Sequence, residues 1–302
     1  QGHYDEGIRW LEEQLDIAER VSDKQGLTTL YTNLGIIYLE KNSLDSALLC
    51  LEKGLTYSEE LGNKLFMTIC IGSIGSVWEK KGDYAKAMQN FDRDLLLARE
   101  LGDKQGTAIA CGLIGDLLST MGQFDAAIEF LDENLALSRE LNYKKGIAKA
   151  LNTLGDTWFF KRDYARSIRY YNEAIEYARE MGNRLVLGYS LVEKGLVHLY
   201  SGEVAAARQL LEEGRDIALA LGNADLTFSS NILRAQVIIS EGNKIEALRQ
   251  LQQLLALART EREEAAVHFE LRRIADNPTP HHLRALTLYR ALYDRTPQYI
   301  YR

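Results

Sequence analysis

The stretch NTLGDTWFFKRDYARSIRYY, residues 152–171, places an aspartate beside a glycine, then aromatic side chains, a Lys-Arg-Asp turn and two adjacent tyrosines. Taken alone, this composition suggests a binding or catalytic site. It could equally be one copy of a structural unit that the chain repeats. Repeats have to be sought before motifs, because a missed period leads to the wrong fold.

A forty-residue period runs through most of the chain. A small residue recurs at this step in the first half of each unit, at Gly35, Gly75, Gly115, Gly155 and Gly195, with Ala235 next. A second small position follows twelve residues later, at Ala47, Ala87, Ala127, Ser167, Ala207 and Ala247. Turn residues keep the same step at Asn42, Gly82, Gly122, Arg162, Gly202 and Gly242, and Gly62, Gly102, Asn142, Gly182 and Gly222 close the units. Four series in one register are not a product of chance.

Each unit is predicted to be a pair of helices. The segment KLFMTICIGSIGSVWEKK, residues 64–81, carries apolar residues at spacings of three and four, which predicts an amphipathic helix. Gly82 can take the left-handed conformation that ends this helix, and Asp83 can cap the next one. Gly75 and Ala87 are expected where the two helices touch, with axes about 8 Å apart. Such a pair cannot bury its own apolar faces, so stacking on its neighbours must do so.

These residues carry a resemblance to a known family. The motifs LGIIY (34–38), IGSVW (74–78) and LGDTW (154–158), followed by Gly-Asp-Tyr with an alanine beyond, are similar to the tetratricopeptide repeat. The forty-residue length and the LGN triplets at 61–63 and 221–223 resemble the Leu-Gly-Asn subclass. The resemblance implies an all-α fold, a right-handed α-solenoid of antiparallel helix pairs.

The same period predicts how the chain is organised. Residues 2–7 have the phase of residues 42–47, so we expect the chain to begin inside a repeat, as a fragment of a longer protein. The regular pattern decays after residue 262. We therefore expect residues 1–302 to form a single solenoid domain. Its parts are residues 1–22 as the second helix of a truncated repeat, 23–262 as six forty-residue repeats, and 263–302 as a divergent C-terminal helix pair.

The resemblance also implies where a ligand would bind. In the family, variable residues of the first helix face a concave groove, and the position after each repeat glycine varies here. The candidate peptide-binding residues are Asn33, Ile36, Ser73, Ser76, Asp116, Lys149, Asn152, Asp156, Phe159, Phe160, Tyr189 and Glu193. Asp116 and Asp156 share one phase of adjacent units, so their backbones are expected roughly 10 Å apart. That spacing suits two basic side chains of a ligand better than shared acid catalysis. The alternative, that both carboxylates are solvated or tied to neighbouring Lys or Asn, stays open.

Several other functions are disfavoured by composition and spacing. A net charge of -7 and a pI near 5.4 lack the basic face of a nucleic-acid-binding protein, and no apolar run is long enough for a membrane span. GSIG (72–75) lies within a helix rather than after a strand, so it is not a phosphate loop. The five histidines lack metal spacing. We therefore predict no catalytic residue, metal or cofactor, and no enzymatic activity. Three isolated cysteines indicate core positions in a reducing compartment, which favours a cytoplasmic location.

Two functions remain as predictions. The first is a protein-protein interaction scaffold that binds a peptide or partner helix in the concave groove, with a basic or amphipathic ligand favoured. The alternative is a regulatory or sensor region of a multidomain signalling protein, such as a cyclase, kinase, ATPase or transcription regulator. Self-association through the exposed N-terminal repeat end is a further expectation. Peptide-regulated phosphatases, which join such arrays to an additional helical bundle, are the enzymatic alternative.

Overall fold

A computed structural model describes residues 2–275 and 277–295, and all regular secondary structure in these residues is α-helical. The helices are α1 (Gly2–Arg20), α2 (Lys24–Glu40), α3 (Leu44–Glu60), α4 (Lys64–Lys80), α5 (Tyr84–Glu100), α6 (Lys104–Thr120), α7 (Phe124–Glu140), α8 (Lys144–Phe160), α9 (Tyr164–Glu180), α10 (Arg184–Tyr200), α11 (Val204–Leu221), α12 (Ala224–Ser240), α13 (Lys244–Leu257), α14 (Glu261–Ile274) and α15 (Thr279–Arg295). The all-α class and the repeated helix pairs predicted from the sequence are confirmed.

Short polar turns set the ends of the helices. Asp83 caps α5 as predicted, because its Oδ1 accepts a hydrogen bond from the Lys86 amide at 3.1 Å. Gly82 ends the preceding turn in the left-handed region, with φ of 82°. Arg162 takes the same conformation, with φ of 62°, in the repeat that contains residues 152–171, although a side chain in this conformation costs about 1 kcal/mol. The turn geometry is therefore imposed by the repeat rather than by glycine alone.

The helices divide into two compact units. Unit 1 comprises the described residues up to 118 together with 132–141, and unit 2 comprises 119–131 and the described residues from 142 onward. Within the units, consecutive helices such as α2 and α3, or α10 and α11, pack as antiparallel pairs because a turn of three residues reverses the chain between them.

Each unit has one layer formed by the first helices of its pairs. In unit 1, α2 contacts α4, and in unit 2, α10 contacts both α8 and α12. Among the described helices, α3 does not contact α5, and α9 does not contact α11. The first helices are therefore the more closely spaced layer. We call the surface of this layer the inner face of its unit.

Residues without a side chain allow the two helices of a pair to pack closely. A Cβ atom on Gly75 would lie 2.5 Å from Cδ1 of Phe91, whose side chain is completely buried. Gly155 faces Tyr171 in the same way, because a Cβ atom on Gly155 would lie 2.8 Å from Cζ of the Tyr171 ring. Ala87, predicted to lie at such a contact, is also completely buried. A larger residue at these glycines would separate the helices.

The three cysteines are free and buried, as the sequence indicated. Burial raises the pKa of the Cys50 and Cys70 thiols and raises that of Cys111 to about 12. Thiols in this state are almost entirely protonated at neutral pH, so they are poor nucleophiles. They act as small core side chains.

We expect Gly75→Ala to lower the free energy of unfolding by about 1–3 kcal/mol, because the new methyl group overpacks the buried Phe91 ring. Gly7→Ala is the matched control, since no atom lies within 4 Å of a Cβ placed there and alanine is the better helix former. Thermal or urea denaturation should show Gly75→Ala less stable and Gly7→Ala unchanged or more stable than wild type. Equal stability of the two variants would contradict the packing argument.

Candidate functional site

The side chains predicted to bind a ligand all lie on first helices. Those in unit 1 are Asn33 and Ile36 on α2, Ser73 and Ser76 on α4, and Asp116 on α6. Those in unit 2 are Lys149, Asn152, Asp156, Phe159 and Phe160 on α8, and Tyr189 and Glu193 on α10. Their role in binding stays a prediction, but their local environments differ considerably.

Asp156 is held in place by a buried tyrosine. The hydroxyl of Tyr171, on α9, donates a hydrogen bond to Oδ1 of Asp156. Tyr171 is only 1% exposed, and its ring rests against Gly155. Burial, followed by the Asp156 charge, raises the pKa of Tyr171 well above its ordinary value, so the hydroxyl stays a donor. The interaction fixes one carboxylate oxygen of Asp156 on the inner face of unit 2.

Glu193, on α10, provides a second acidic group close to Asp156. Burial and then the Asp156 charge raise its pKa to about 8, and Arg262 on α14 opposes that shift only in part. No hydrogen bond or ion pair joins the Glu193 carboxylate to another of the described residues. We call Asp156 and Glu193 the acidic pair of unit 2. The Asp156 charge disfavours the ionised form of Glu193, and a cation placed between the two carboxylates would be attracted by both.

Asn152 and Tyr189 are engaged in contacts within unit 2. The Asn152 amide donates to the Ala148 carbonyl at 2.9 Å, and its Oδ1 accepts from Ser190 at 2.7 Å. The Tyr189 hydroxyl donates to Oδ1 of Asn223, the cap of α12, at 3.4 Å. Asn152 therefore links α8 to α10, an arrangement that the alternation of residue types could not reveal.

The aromatic candidates lie at the C-terminal end of α8 and pack against other rings. The Phe159 ring lies 5.3 Å from that of Tyr200 and 6.0 Å from that of Tyr164. The Phe160 ring stacks on Phe124 at 6.1 Å. These separations are typical of packed aromatic pairs. The main contribution of Phe159 and Phe160 is therefore to the packing of aromatic rings near the turn between α8 and α9.

The inner face of unit 1 contains a cavity of about 520 Å³ between α4, α5 and the start of α6. Its lining includes two residues that the sequence indicated, Ser73 and Ser76, and others that it did not. The remaining lining residues are Leu65, Thr68, Ile69, Gly72, Asp94, Asp103, Gln105, Gly106, Ile109 and Leu113. We call this space the Asp94 cavity.

Asp94, on α5, is the unusual member of this cavity. It is only 5% exposed, yet no hydrogen bond or ion pair joins its carboxylate to another described residue. Its Oδ2 lies 2.6 Å from the position that a Cβ on Gly72 would occupy. Burial, with a smaller contribution from the charge of Asp103, raises its pKa to about 7. A carboxylate in such a place is costly unless something neutralises it.

At the corresponding position of the next repeat, the side chain has hydrogen-bond partners. Asn134 lies one period after Asp94 and packs against Gly112, as Asp94 packs against Gly72. Its amide donates to the Ala108 carbonyl at 2.6 Å, and its Oδ1 accepts from Ser138 at 3.3 Å. Neither of these bonds can form with an ionised Asp94. An ionised aspartate has no proton to donate, and position 98, one period before Ser138, is alanine, so it has no hydroxyl group.

Asp94 is not among the residues predicted from the sequence, because its position in the repeat belongs to the buried side of a second helix. The available signal was the pairing of an acid with a glycine one helix earlier, since Gly72 and Gly112 leave the room that Asp94 and Asn134 fill. The periodic pattern of polar residues on the first helices does not contain this information.

Asp94→Asn should stabilise the protein at high pH, because it removes a buried carboxylate and supplies an amide donor like that of Asn134. The pKa of Asp94 is raised from 3.8 to about 7, so its unfavourable contribution is absent below about pH 4 and complete above about pH 7. The shift corresponds to a gain of up to about 4 kcal/mol at pH 8.

Denaturation of the variant at pH 5 and pH 8 tests this expectation, with Asp92→Asn, an exposed position on the same helix, as the control for loss of charge. The gain should be clearly larger at pH 8. A gain that does not change with pH would show that Asp94 is not the titrating group.

Comparison with a family model supports the repeat assignment. Residues 1–60 and 111–180 match the model of the tetratricopeptide repeat. No curated protein matches the chain in sequence. The family model and the structural neighbours described next support a tetratricopeptide repeat array, and the forty-residue subclass stays a prediction.

The solved structures with a similar fold include three regulatory or signalling proteins. The apo form of the quorum sensor NprR from B. thuringiensis is 17% identical, with a TM-score of 0.74 over 96% of this chain and 83% of that one. The Rap conjugation gene regulator of plasmid pLS20, in complex with a Phr peptide, is 14% identical, with a TM-score of 0.71 over 92% of this chain and 76% of that one. A signal transduction ATPase with a tetratricopeptide repeat sensor from Pyrococcus horikoshii is 18% identical, with a TM-score of 0.59 over 99% of this chain and 42% of that one.

Neither a membrane-spanning helix nor a metal site occurs among the described residues. No helix among them combines the length and the apolar character that crossing a bilayer requires. They also contain no group of three or more His, Cys, Asp or Glu side chains arranged to hold a metal ion.

Proposed function

We propose that the chain is a protein-interaction scaffold that holds a peptide or partner helix against the inner faces of its units. Repeat arrays recognise ligands through side chains on such a face, which can differ between repeats while the helices remain stacked. The similar fold of the Rap regulator, solved with a Phr peptide, supports the choice of an extended peptide as the ligand.

The observation that carries the proposal is the acidic pair of unit 2. Asp156 is fixed by Tyr171, and Glu193 has a pKa of about 8 and no described hydrogen-bond partner. A buried carboxylate whose ionisation is disfavoured by a neighbouring carboxylate gains most from a positively charged partner. We therefore infer that the preferred ligand carries a lysine or arginine at the position that meets α8 and α10.

A second function is favoured by one of the structural neighbours. The Pyrococcus ATPase has a multidomain architecture in which the tetratricopeptide repeat region is described as the sensor. On this view the same inner faces would bind the ligand, and the result of binding would be passed to another domain. Both functions require a peptide or protein to bind the array, so the first experiment is the same.

Asp156→Asn with Glu193→Gln should weaken binding of basic peptides about tenfold or more, because neutral amides lose the attraction of two carboxylates. Asn at position 156 can still accept from Tyr171, so we expect no loss of thermal stability. Binding can be measured by fluorescence polarisation with labelled twelve-residue peptides, first chosen from a library by capture on the full 302-residue chain.

The matched control is Glu176→Gln with Glu180→Gln, two exposed acids of α9 that give the same change in net charge. The control should bind the peptides as wild type does. Retention of full affinity by the Asp156/Glu193 variant would refute the role of the acidic pair, and failure of the library to yield any binder would refute peptide binding itself.

A further inference from the structure

We propose that the Asp94 cavity of unit 1 is a binding pocket for the cationic end of a lysine or arginine side chain, supplied by a bound peptide. This inference rests on the proposed function, and it adds a second and chemically distinct contact point to it. It is argued from the unpaired buried carboxylate, the hydrogen-bonding groups of the lining and the apolar walls.

The charge of the cavity is uncompensated. Asp94 and Asp103 both line it, and no lysine, arginine or histidine is among the lining residues. Asp103 also caps α6, since its Oδ1 accepts from the Gly106 amide at 2.9 Å, whereas Asp94 has no such partner. A cation bound in the cavity would pair with the carboxylate of Asp94, a residue only 5% exposed, where screening by water is weaker than at the surface.

Two of the three hydroxyl groups of the lining, those of Thr68 and Ser76, are suited to a ligand that only donates hydrogen bonds. Thr68 donates to the Leu65 carbonyl at 2.7 Å, and Ser76 donates to the Gly72 carbonyl at 3.2 Å. Their protons are therefore already used, and only the oxygen lone pairs remain for a ligand. Ammonium and guanidinium groups are donors without acceptors, so they match this arrangement.

The walls of the cavity are aliphatic. Leu65, Ile69 and Ile109 line it and remain 54%, 39% and 42% exposed. A lysine or arginine side chain buries its methylene stem along apolar surface while its charged end reaches a polar group. The combination of apolar walls with a buried carboxylate therefore fits a cation on an aliphatic stem, and does not fit an anion or a bare metal ion.

We expect the buried carboxylate of Asp94 to lower the stability of the unbound protein, whereas Asn134 in the next repeat forms hydrogen bonds of its own. Destabilising groups of this kind are typical of functional positions, where binding offsets the cost. Protonation of Asp94 competes with a bound cation, and because burial raises its pKa to about 7, affinity should rise between pH 6 and pH 8. Asp103, the residue before α6, is the charged group that faces Asp94 from that side, and the α4 residues of the lining carry no charge.

The test uses n-butylguanidinium as the probe, because it has the length and charge of an arginine side chain. N-butylurea is the matched neutral compound, with nearly the same shape. Titration of the full 302-residue chain should shift the amide signals of Gly72, Gly106 and Ile109 in ¹H–¹⁵N spectra with n-butylguanidinium. N-butylurea should leave these signals unchanged.

Asp94→Asn should weaken binding of n-butylguanidinium about tenfold or more, while Asp92→Asn should bind as wild type does. A melting temperature at or above that of wild type would show that the Asp94 variant is folded. Equal affinity of wild type and Asp94→Asn, or equal shifts with N-butylurea, would overturn the proposal.

The source of the cation and the dependence on the proposed function can be separated. Acetyl-Leu-Arg-Leu-amide should bind more tightly than spermidine if a peptide is the source, and the reverse order would overturn that part of the inference. Library peptides whose binding requires Asp156 and Glu193 but is unaffected by Asp94→Asn would overturn the role of the cavity and leave the scaffold function intact. Binding of n-butylguanidinium with no peptide bound anywhere would refute the scaffold and the peptide source together.

Discussion

The close approach of two helices at a residue without a side chain is the interaction on which the rest of the structure depends. Gly75 lies against the ring of Phe91, and Gly155 against that of Tyr171, so in these two pairs an aromatic side chain packs directly against the backbone of the facing helix. Polar turns of fixed geometry bring the helices to this contact. Because the contact is local to each pair, the residues on the exposed side of the first helices are free to differ from one repeat to the next.

The same packing rule explains the positions of the acidic groups. Tyr171 fills the space left by Gly155 and also donates its hydroxyl proton to Asp156, so one side chain serves the core and orients the acidic pair. In unit 1, Gly72 leaves the room in which the Asp94 carboxylate lies. Recognition and packing are therefore coupled through the glycines, and binding groups can be held rigidly without any loop.

The fold could be predicted because its signals are periodic and local. Glycine spacing, apolar periodicity and capping aspartates each indicate a helix pair, and Gly82 and Asp83 behave as those rules require. The placement of candidates such as Asp156 on first helices followed from their phase. What could not be predicted was which polar groups would already be engaged, as Asn152 is with Ser190, or left alone, as Asp94 is. Those outcomes depend on contacts between helices that one helix's pattern does not encode.

The resemblance between Asp94 and Asn134 has a consequence for how such arrays diversify. The codons for aspartate and asparagine differ by one nucleotide, and both residues fit beside a glycine without rearranging the backbone. A point mutation could therefore replace a buried carboxylate that attracts a cation with a neutral amide, or the reverse, while the fold stays intact. Ligand preference could therefore change one repeat at a time during evolution. Each step would be limited only by the loss of stability that the whole array tolerates without unfolding.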